Sequence, residues 1–345
     1  MSVSRAPFGT TRSGQPVELL TLRCGTMEAE ILTFGATVRA LRVPDKNGQP
    51  VDVVLGYNSV AAYETHDGYL GALVGRYANR IAGAAYVIDD KHIELEANEG
   101  TKQLHGGNVG FSHRVFDAEI ISENAVRLRY TAADGEGGHP GTLSLCATYT
   151  LTENALRLRY EATSDKPTHC NITNHSYFNL NGHGDILDHK LRIFAHQFTP
   201  VDENSIPTAM ATPVAGTAFD FTSGKTIRQD MLADDQQLKF TSGYDHNFVL
   251  DAVQGLRLAA CLTGDQSGIV METWTEKPGV QLYCGNFLDA NTDTKSGEPY
   301  RKHGALCLET QFFPDSPNHS EWGDIVLRPG ARYDYTTEYR FATEK

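Results

Sequence analysis

The chain has 345 residues, enough to bury a large core, and 40% of them are apolar while 21% are charged. This composition excludes a disordered chain, and no apolar run approaches the length that crosses a membrane. With 43 acidic and 30 basic residues the net charge is −13, which repels nucleic-acid phosphates and anionic lipid surfaces.

The N-terminal segment lacks the apolar core of a signal peptide, so we expect a cytoplasmic protein. Six cysteines are spread along the chain without any C-x-x-C pair. In a chain of this length that pattern predicts free, mostly buried thiols in a reducing compartment rather than a disulfide framework. The cysteines are Cys24, Cys146, Cys170, Cys261, Cys284 and Cys307.

The predicted elements are mainly strands, read from alternation with period two. After one possible helical turn at residues 59–63, apolar Val126, Leu128 and Tyr130 alternate with two arginines. The same alternation recurs over residues 143–151 and 155–162, and the short segment 152–154 between them predicts a β-hairpin. A second short helix is expected over residues 226–232.

Each predicted strand has one apolar face, so sheets must pack against each other to bury those faces. The pattern alone leaves a sandwich and a barrel as alternatives. Turn signals punctuate the chain, with 32 glycines and 14 prolines, but no proline-rich or charged linker divides it. We therefore expect one large all-β domain over residues 1–345.

Two candidate proton carriers lie within short motifs. His175, in NHSYFNL, follows a stretch of strand character, and imidazole has the unperturbed pKa nearest neutrality. Glu309, in CLETQFFPDSPNH, lies within an apolar strand pattern, and a buried carboxylate needs a partner or a function. Taken alone, His175 could be a structural histidine and Glu309 could face solvent.

Further polar residues offer donors and acceptors that match sugar hydroxyls. They are Asn79 and Arg80 in GRYANRI, His105 in QLHGG, Asp245 in GYDHNF and Gln281 in GVQLYCGNFLD. Arg80 could instead close a salt bridge on a loop, and Asp245 could form an Asx-turn. After His105, Gly106 and Gly107 lack side chains, which would let the backbone approach a ligand closely.

The segments that resemble cofactor-binding motifs each lack a required feature. Ser223-Gly-Lys-Thr226 imitates the end of a phosphate loop, but Phe219 stands where that loop needs glycine. The glycine-rich segment 135–141 lies between predicted strands, unlike a dinucleotide fingerprint. The histidines at 175, 183 and 189 lack compact metal-ligand spacing. We expect neither a cofactor nor a metal.

The motifs GRYANRIA, QLHGG, NHSYFNL, GYDHNF, GNFLD and LETQFFPDSPNH, in this order, resemble those of the aldose 1-epimerase (galactose mutarotase) family. The likeness extends from Phe34-Gly-Ala-Thr to Leu327-Arg-Pro-Gly330. It implies a large antiparallel β-sandwich, the supersandwich of that family. It also implies a cofactor-free isomerase that interconverts the α and β anomers of free galactose and glucose in hexose metabolism.

The resemblance also assigns roles to residues. It implies that Glu309 is the catalytic base and that His175 is the proton donor. The substrate-binding residues it implies are Asn79, Arg80, His105, Tyr177, Asp245 and Gln281. The free sugar is then the expected partner, with no nucleic acid and no membrane, while the sequence carries no signal for an oligomeric state.

Three other functions are compatible with parts of the pattern. A related epimerase acting on a phosphosugar should have basic residues around its pocket, and the motifs supply only Arg80. A non-catalytic sugar-binding sandwich should have lost one proton carrier, yet both are present. A glycosidase needs two catalytic carboxylates, which requires Asp245 to partner Glu309. The residues leave open whether galactose, glucose or a pentose is preferred.

Overall fold

The computed structural model describes residues 1–288 and 290–344. Within these ranges the chain forms 28 strands, three short α-helices and a few 3₁₀ turns. The strands pair in the antiparallel sense, as in the long ladders of the largest sheet. No helix of this part of the chain is long and apolar enough to cross a membrane.

In chain order the strands are β1 (Ser2–Thr10), β2 (Pro16–Cys24), β3 (Met27–Leu32), β4 (Val38–Pro44), β5 (Pro50–Asp52), β6 (Leu73–Val74), β7 (Arg80–Ile81), β8 (Ala85–Ile88), β9 (Lys91–Glu94), β10 (Gln103–Leu104), β11 (Asp117–Ser122), β12 (Ala125–Ala132), β13 (Leu143–Leu151), β14 (Ala155–Ser164), β15 (Thr168–His169), β16 (Thr173–Asn174), β17 (Tyr177–Phe178), β18 (Lys190–Ile193), β19 (Gln197–Phe198), β20 (Thr212–Pro213), β21 (Lys225–Thr226), β22 (Asp245–Val249), β23 (Arg257–Thr263), β24 (Ile269–Thr275), β25 (Gly279–Tyr283), β26 (Leu306–Gln311), β27 (Val326–Leu327) and β28 (Tyr333–Thr343). The α-helices are α1 (Val60–Thr65), α2 (Arg228–Met231) and α3 (Gln236–Thr241).

Three sheets dominate the described part of the chain. One has five strands in the order β1-β2-β3-β4-β5, and the largest has nine in the order β11-β12-β13-β14-β28-β24-β23-β18-β21. The third has six strands in the order β17-β26-β25-β22-β19-β20. Two-stranded pairs complete the set: β7 with β10, β6 with β16, β8 with β9, and β15 with β27. The all-β antiparallel fold expected from the sequence is confirmed.

The predicted hairpin is confirmed as β13 and β14, whose register brings Leu151 opposite Leu156. Leu156 and Leu158 are buried, whereas Arg157 and Arg159 of the same strand are exposed. The alternation over 126–130 likewise lies within β12. The local period-two pattern therefore predicted both these strands and the face of each strand that packs into the core.

Of the two helices expected, one is confirmed and one is shorter, and a third was missed. Helix α1 begins after Ser59, whose side chain accepts a hydrogen bond from the N–H of Ala62. The helix expected over 226–232 is reduced to α2, because Thr226 pairs with Lys190 in the largest sheet. Helix α3, which begins after the capping residue Asp235, had not been predicted.

The six-stranded sheet has two different faces because side chains alternate along each strand. One face packs into the large apolar core, as where the ring of Phe178 lies 4.9 Å from that of Tyr339 in the nine-stranded sheet. The apolar residues on this face are Phe178, Phe248, Val280, Leu282, Leu306 and Leu308. The intervening residues of β22, β25 and β26 lie on the opposite face and are largely polar.

Candidate active site

The polar face of the six-stranded sheet brings three distant motifs together. Gln281 of β25 lies directly opposite Glu309 of β26. Asp245, at the start of β22, lies opposite Tyr283 of β25. Because all of these positions share one face, strand register alone aligns Asp245, Gln281 and Glu309, although 64 residues of chain separate the first from the last.

His175 faces Glu309 across a short gap. It lies between β16 and β17, and its backbone N–H donates to the carbonyl of Ala72 at 2.8 Å. The distance from His175 Nε2 to Glu309 Oε1 is 3.6 Å. The two residues are 5% and 2% exposed, so they face each other in a nearly dry environment. The solvent-facing alternative for Glu309 is excluded.

Burial shifts both groups toward their uncharged forms. Desolvation lowers the pKa of His175 to about 4. Desolvation, reinforced by repulsion from Asp245 and opposed by the charge of Arg80, raises the pKa of Glu309 well above its usual value. Among the described residues, Oε2 of Glu309 has no hydrogen-bond partner. This oxygen can therefore bind a hydroxyl of a ligand.

His105 is fixed by a reciprocal pair of hydrogen bonds with Asn79. The N–H of Asn79 donates to His105 Nδ1 at 3.1 Å, and the N–H of His105 donates to the carbonyl of Asn79 at 3.2 Å. Because Nδ1 accepts, neutral His105 carries its hydrogen on Nε2. Burial holds the pKa of His105 well below its usual value. Its ring lies 5.2 Å from that of His175, so Nε2–H is a donor at the same site.

Arg80 makes an ion pair, which was one of the alternatives left open by the sequence. This ion pair lies at the candidate site. Its Nε and Nη2 donate to the two carboxylate oxygens of Glu99 at 2.7 and 2.8 Å. Its Nη1 lies 4.0 Å from Asp245 Oδ2. A guanidinium held at two points presents its remaining N–H groups in a fixed direction.

Asp245 belongs to a chain of side-chain amides rather than to an Asx-turn. Gln281 Nε2 donates to Asp245 Oδ1 at 2.7 Å. Gln311 Nε2 lies 3.2 Å from Gln281 Oε1 and 3.3 Å from Asn247 Oδ1. Because Gln281 is bonded at both ends, the orientation of its amide is determined, and Asp245 keeps Oδ2 as an acceptor.

The sequence comparisons identify the family. The family model described as aldose 1-epimerase matches residues 18–340. The chain is 41% identical to galactose mutarotase of Rattus norvegicus over 345 residues, covering 99% of each chain. It is 42% identical to aldose 1-epimerase of Escherichia coli K12 over 337 residues, covering 96% of this chain and 97% of the relative. The chain belongs to the aldose 1-epimerase family.

Solved structures of the family share the fold. The aldose epimerase homologue from C. elegans superposes with a TM-score of 0.88 at 32% identity, covering 95% of this chain and 99% of the other. Galactose 1-epimerase from Lactobacillus acidophilus also gives 0.88, at 28% identity and with 100% of both chains covered. The supersandwich implied by the resemblance is therefore confirmed.

All eight residues that the sequence predicted for the aldose epimerase site are connected in the fold. Tyr177 completes the set, with its ring 5.1 Å from that of His175. The structure adds neighbours that sequence reasoning missed. Glu99 holds Arg80, and Cys307 Sγ lies 3.5 Å from His175 Nδ1. Alternation in β26 could have indicated Cys307, two residues before Glu309, whereas Glu99 carried no signal beyond its nearness to the QLHGG motif.

The glycines after His105 are closely approached by other parts of the chain. A Cβ added to Gly106, whose φ is +93°, would lie 2.0 Å from the carbonyl oxygen of Gly75. A Cβ on Gly107 would lie 2.8 Å from Glu96 Oε2. Neither position therefore has room for a side chain.

His105, His175 and Glu309 also form a group that could hold a metal ion, since their ligand atoms lie within 4.8 Å of one another. This set differs from the histidines considered in the sequence. A histidine that binds metal through Nε2 normally donates its Nδ1 hydrogen to an acceptor. His105 Nδ1 instead accepts from Asn79, so its Nε2 keeps a hydrogen and suits an oxygen acceptor such as a sugar hydroxyl.

Proposed function

We propose that this chain interconverts the α and β anomers of free hexoses, galactose and glucose, by opening and closing the sugar ring through general acid–base catalysis. The observation that carries the proposal is the buried pair His175 and Glu309, whose nearest polar atoms are 3.6 Å apart. Two proton carriers at this separation can reach the C1 hydroxyl and the ring oxygen of one hemiacetal at the same time.

In the proposed reaction Glu309 takes the proton of the C1 hydroxyl while His175 gives a proton to the ring oxygen. The C1–O5 bond breaks, and an open-chain aldehyde forms. After rotation about C1–C2, His175 takes the proton back from the O5 hydroxyl and Glu309 returns one to the carbonyl oxygen. Protons balance over the cycle, and the product is the other anomer.

The pair carries one proton throughout this cycle. Ring opening begins from the carboxylate and the imidazolium, and it leaves the carboxylic acid and the neutral imidazole. Burial favours the latter arrangement in the free site, since it raises the pKa of Glu309 and lowers that of His175. The sugar must therefore stabilise the charged arrangement when it binds, and the guanidinium of Arg80 favours the Glu309 carboxylate that this requires.

The remaining predicted residues supply groups for the sugar hydroxyls. His105 Nε2–H and the N–H groups of Arg80 are donors, and Asp245 Oδ2 is an acceptor. The side-chain oxygen of Asn79 accepts from the N–H of Arg80 at 2.8 Å, so its NH₂ group is available to donate. We assign Gln281 and Tyr177 to the same binding set, Gln281 through its contact with Asp245 and Tyr177 through its packing on His175.

A neutral sugar fits this site better than a phosphosugar. Glu99 binds the guanidinium of Arg80 at two points, and the carboxylate of Asp245 lies close to it. The positive charge of Arg80 is therefore already balanced, and a phosphate would meet repulsion from both carboxylates. This favours the mutarotase reaction over the related phosphosugar epimerase.

We also propose that the chain acts as one domain in the cytoplasm. One apolar cluster draws residues from Leu20 near the N-terminus to Phe341 near the C-terminus, which supports a single folding unit. The six cysteines are free, as predicted, and four of them are buried, which suits a reducing compartment.

Polarimetry tests the proposed activity. Fresh α-D-galactose and α-D-glucose are mixed with purified protein that has been treated with a chelator, and the decay of optical rotation is followed. We expect decay well above the buffer rate without added metal or nucleotide. Decay at the buffer rate that is restored by a metal ion would contradict the cofactor-free mechanism.

A further inference from the structure

Tyr69 covers the two histidines of the site. It lies between α1 and β6, and its ring packs edge-on against His105 at 4.7 Å and at a tilt against His175 at 5.7 Å. Tyr69 itself is half-buried, whereas His175 and Glu309 are almost completely buried. The half-buried ring of Tyr69 therefore lies over the two buried histidines.

The backbone at Tyr69 adopts a conformation that side chains rarely take. Its φ is +58°, and it lies close to Gly68 and Gly71, whose φ angles are +112° and +71°. A left-handed conformation is unfavourable for a residue with a Cβ, because the Cβ comes too close to the following carbonyl oxygen. Such outliers concentrate at functional sites, where the surrounding structure holds them in place.

The local hydrogen bonds connect Tyr69 to the site. The N–H of Ala72 donates to the carbonyl of Tyr69 at 2.9 Å, and the N–H of Gly71 donates to the carbonyl of His175 at 3.0 Å. The same few residues thus position the Tyr69 ring and the backbone of His175. The strained conformation directs the aromatic ring over the imidazoles instead of away from them.

We propose that Tyr69 is a substrate-contacting residue that closes the site, lying over the imidazoles in the free protein and against the apolar face of the sugar ring when a hexose is bound. This inference rests on the proposed function. The ring turns away from His175 to admit the sugar and then excludes water from the open-chain aldehyde.

Removing the ring should change the proton chemistry as well as sugar binding. Water that enters beside His175 and Glu309 weakens the desolvation that raises the pKa of Glu309. The pair then loses its shared proton at a lower pH, so the alkaline limb of the kcat/KM profile moves to lower pH. A residue that only supported the fold would lower activity without moving this limb.

The test compares three variants with the wild-type protein, using polarimetry on galactose across pH. Tyr69→Gly removes the ring and suits the left-handed backbone, and urea unfolding checks its stability, because the ring also packs against Ala72, Val74 and Ala78. Tyr69→Phe keeps the ring and removes the hydroxyl. Asp90→Gly is the matched control, an exposed left-handed position in the turn between β8 and β9.

We expect kcat/KM of Tyr69→Gly to fall about tenfold, the scale of one lost aromatic contact, with the alkaline limb shifted to lower pH. Tyr69→Phe should lose less and keep the wild-type limb, and Asp90→Gly should match the wild type. An active wild type together with an unshifted limb in Tyr69→Gly would overturn the role of Tyr69. The same shift in Tyr69→Phe would also overturn it, whereas an inactive wild type would overturn the proposed function itself.

Discussion

Replacing Lys277 with methionine should change how the stability of the protein depends on pH. Lys277 is 1% exposed, and its ammonium lies 4.4 to 4.7 Å from the ring centres of three aromatic residues. Its Nζ donates to the hydroxyl of Tyr333 and lies 3.4 Å from Asn171 Oδ1. These partners are uncharged, so burial lowers the pKa of Lys277 from 10.5 to about 7.

The sign and size of the effect follow from this pKa. Between pH 7 and 10.5 the unfolded chain holds the proton that folded Lys277 has partly or fully released, so the free energy of unfolding rises with pH. At about 1.4 kcal/mol per pKa unit, the buried amine destabilises the fold by about 4 kcal/mol at pH 7 and by about 2 kcal/mol at pH 9. Methionine removes this pH-dependent penalty but also loses hydrogen bonds and cation–π contacts that are each worth about 1 kcal/mol.

Urea unfolding of the wild type and Lys277→Met at pH 7, 8 and 9 measures the effect. The free energy of unfolding of the variant minus that of the wild type should fall by about 2 kcal/mol from pH 7 to pH 9. Lys91→Met, which alters an exposed lysine of β9, is the control and should leave the pH slope unchanged. Equal slopes for the wild type and Lys277→Met would refute the reasoning.

Three further outcomes concern the site. His175→Asn should lower kcat by about 10²–10⁴-fold while sugar binding persists, whereas Asp245→Asn should chiefly raise KM. If Asp245→Asn loses kcat and His175→Asn keeps near-normal kcat, the roles of the two residues are exchanged. In the wild type, kcat/KM should fall as the pH drops through about 4, because His175 then gains a proton while Glu309 still holds its own; an acid limb near pH 6.5 would contradict this. In calorimetry, galactose should bind more tightly than galactose 6-phosphate, because Glu99 already balances Arg80; the opposite order would favour the phosphosugar epimerase.

The sequence predicted the elements whose pattern is local. Alternation placed Leu156 and Leu158 on a buried face, and Ser59 was correctly placed at a helix start. Where tertiary pairing competes with local preference the prediction was wrong, as for Thr226, which joins a strand because Lys190 lies beside it. Local patterning cannot show which strand will be a neighbour.

The site was predicted through motifs, but its electrostatics were not. The sequence placed Glu309 in an apolar strand, yet only strand register shows that Gln281 lies opposite it and that His175 approaches it. The pairing of Arg80 with Glu99 and the acceptor role of His105 Nδ1 also depend on tertiary contacts. The spacing of residues along the chain indicates neither the ion pair nor the nitrogen that accepts the hydrogen bond.

The most direct test of the central claim is the optical-rotation decay of α-D-galactose with Glu309→Gln beside the wild type, together with sugar binding by calorimetry. Glutamine keeps the size and the hydrogen-bonding capacity of the side chain but cannot accept the C1 proton. The variant should bind galactose and lose about 10²–10⁴-fold in kcat. If Glu309→Gln keeps near-normal kcat, Glu309 is not the base and the shared-proton mechanism is wrong.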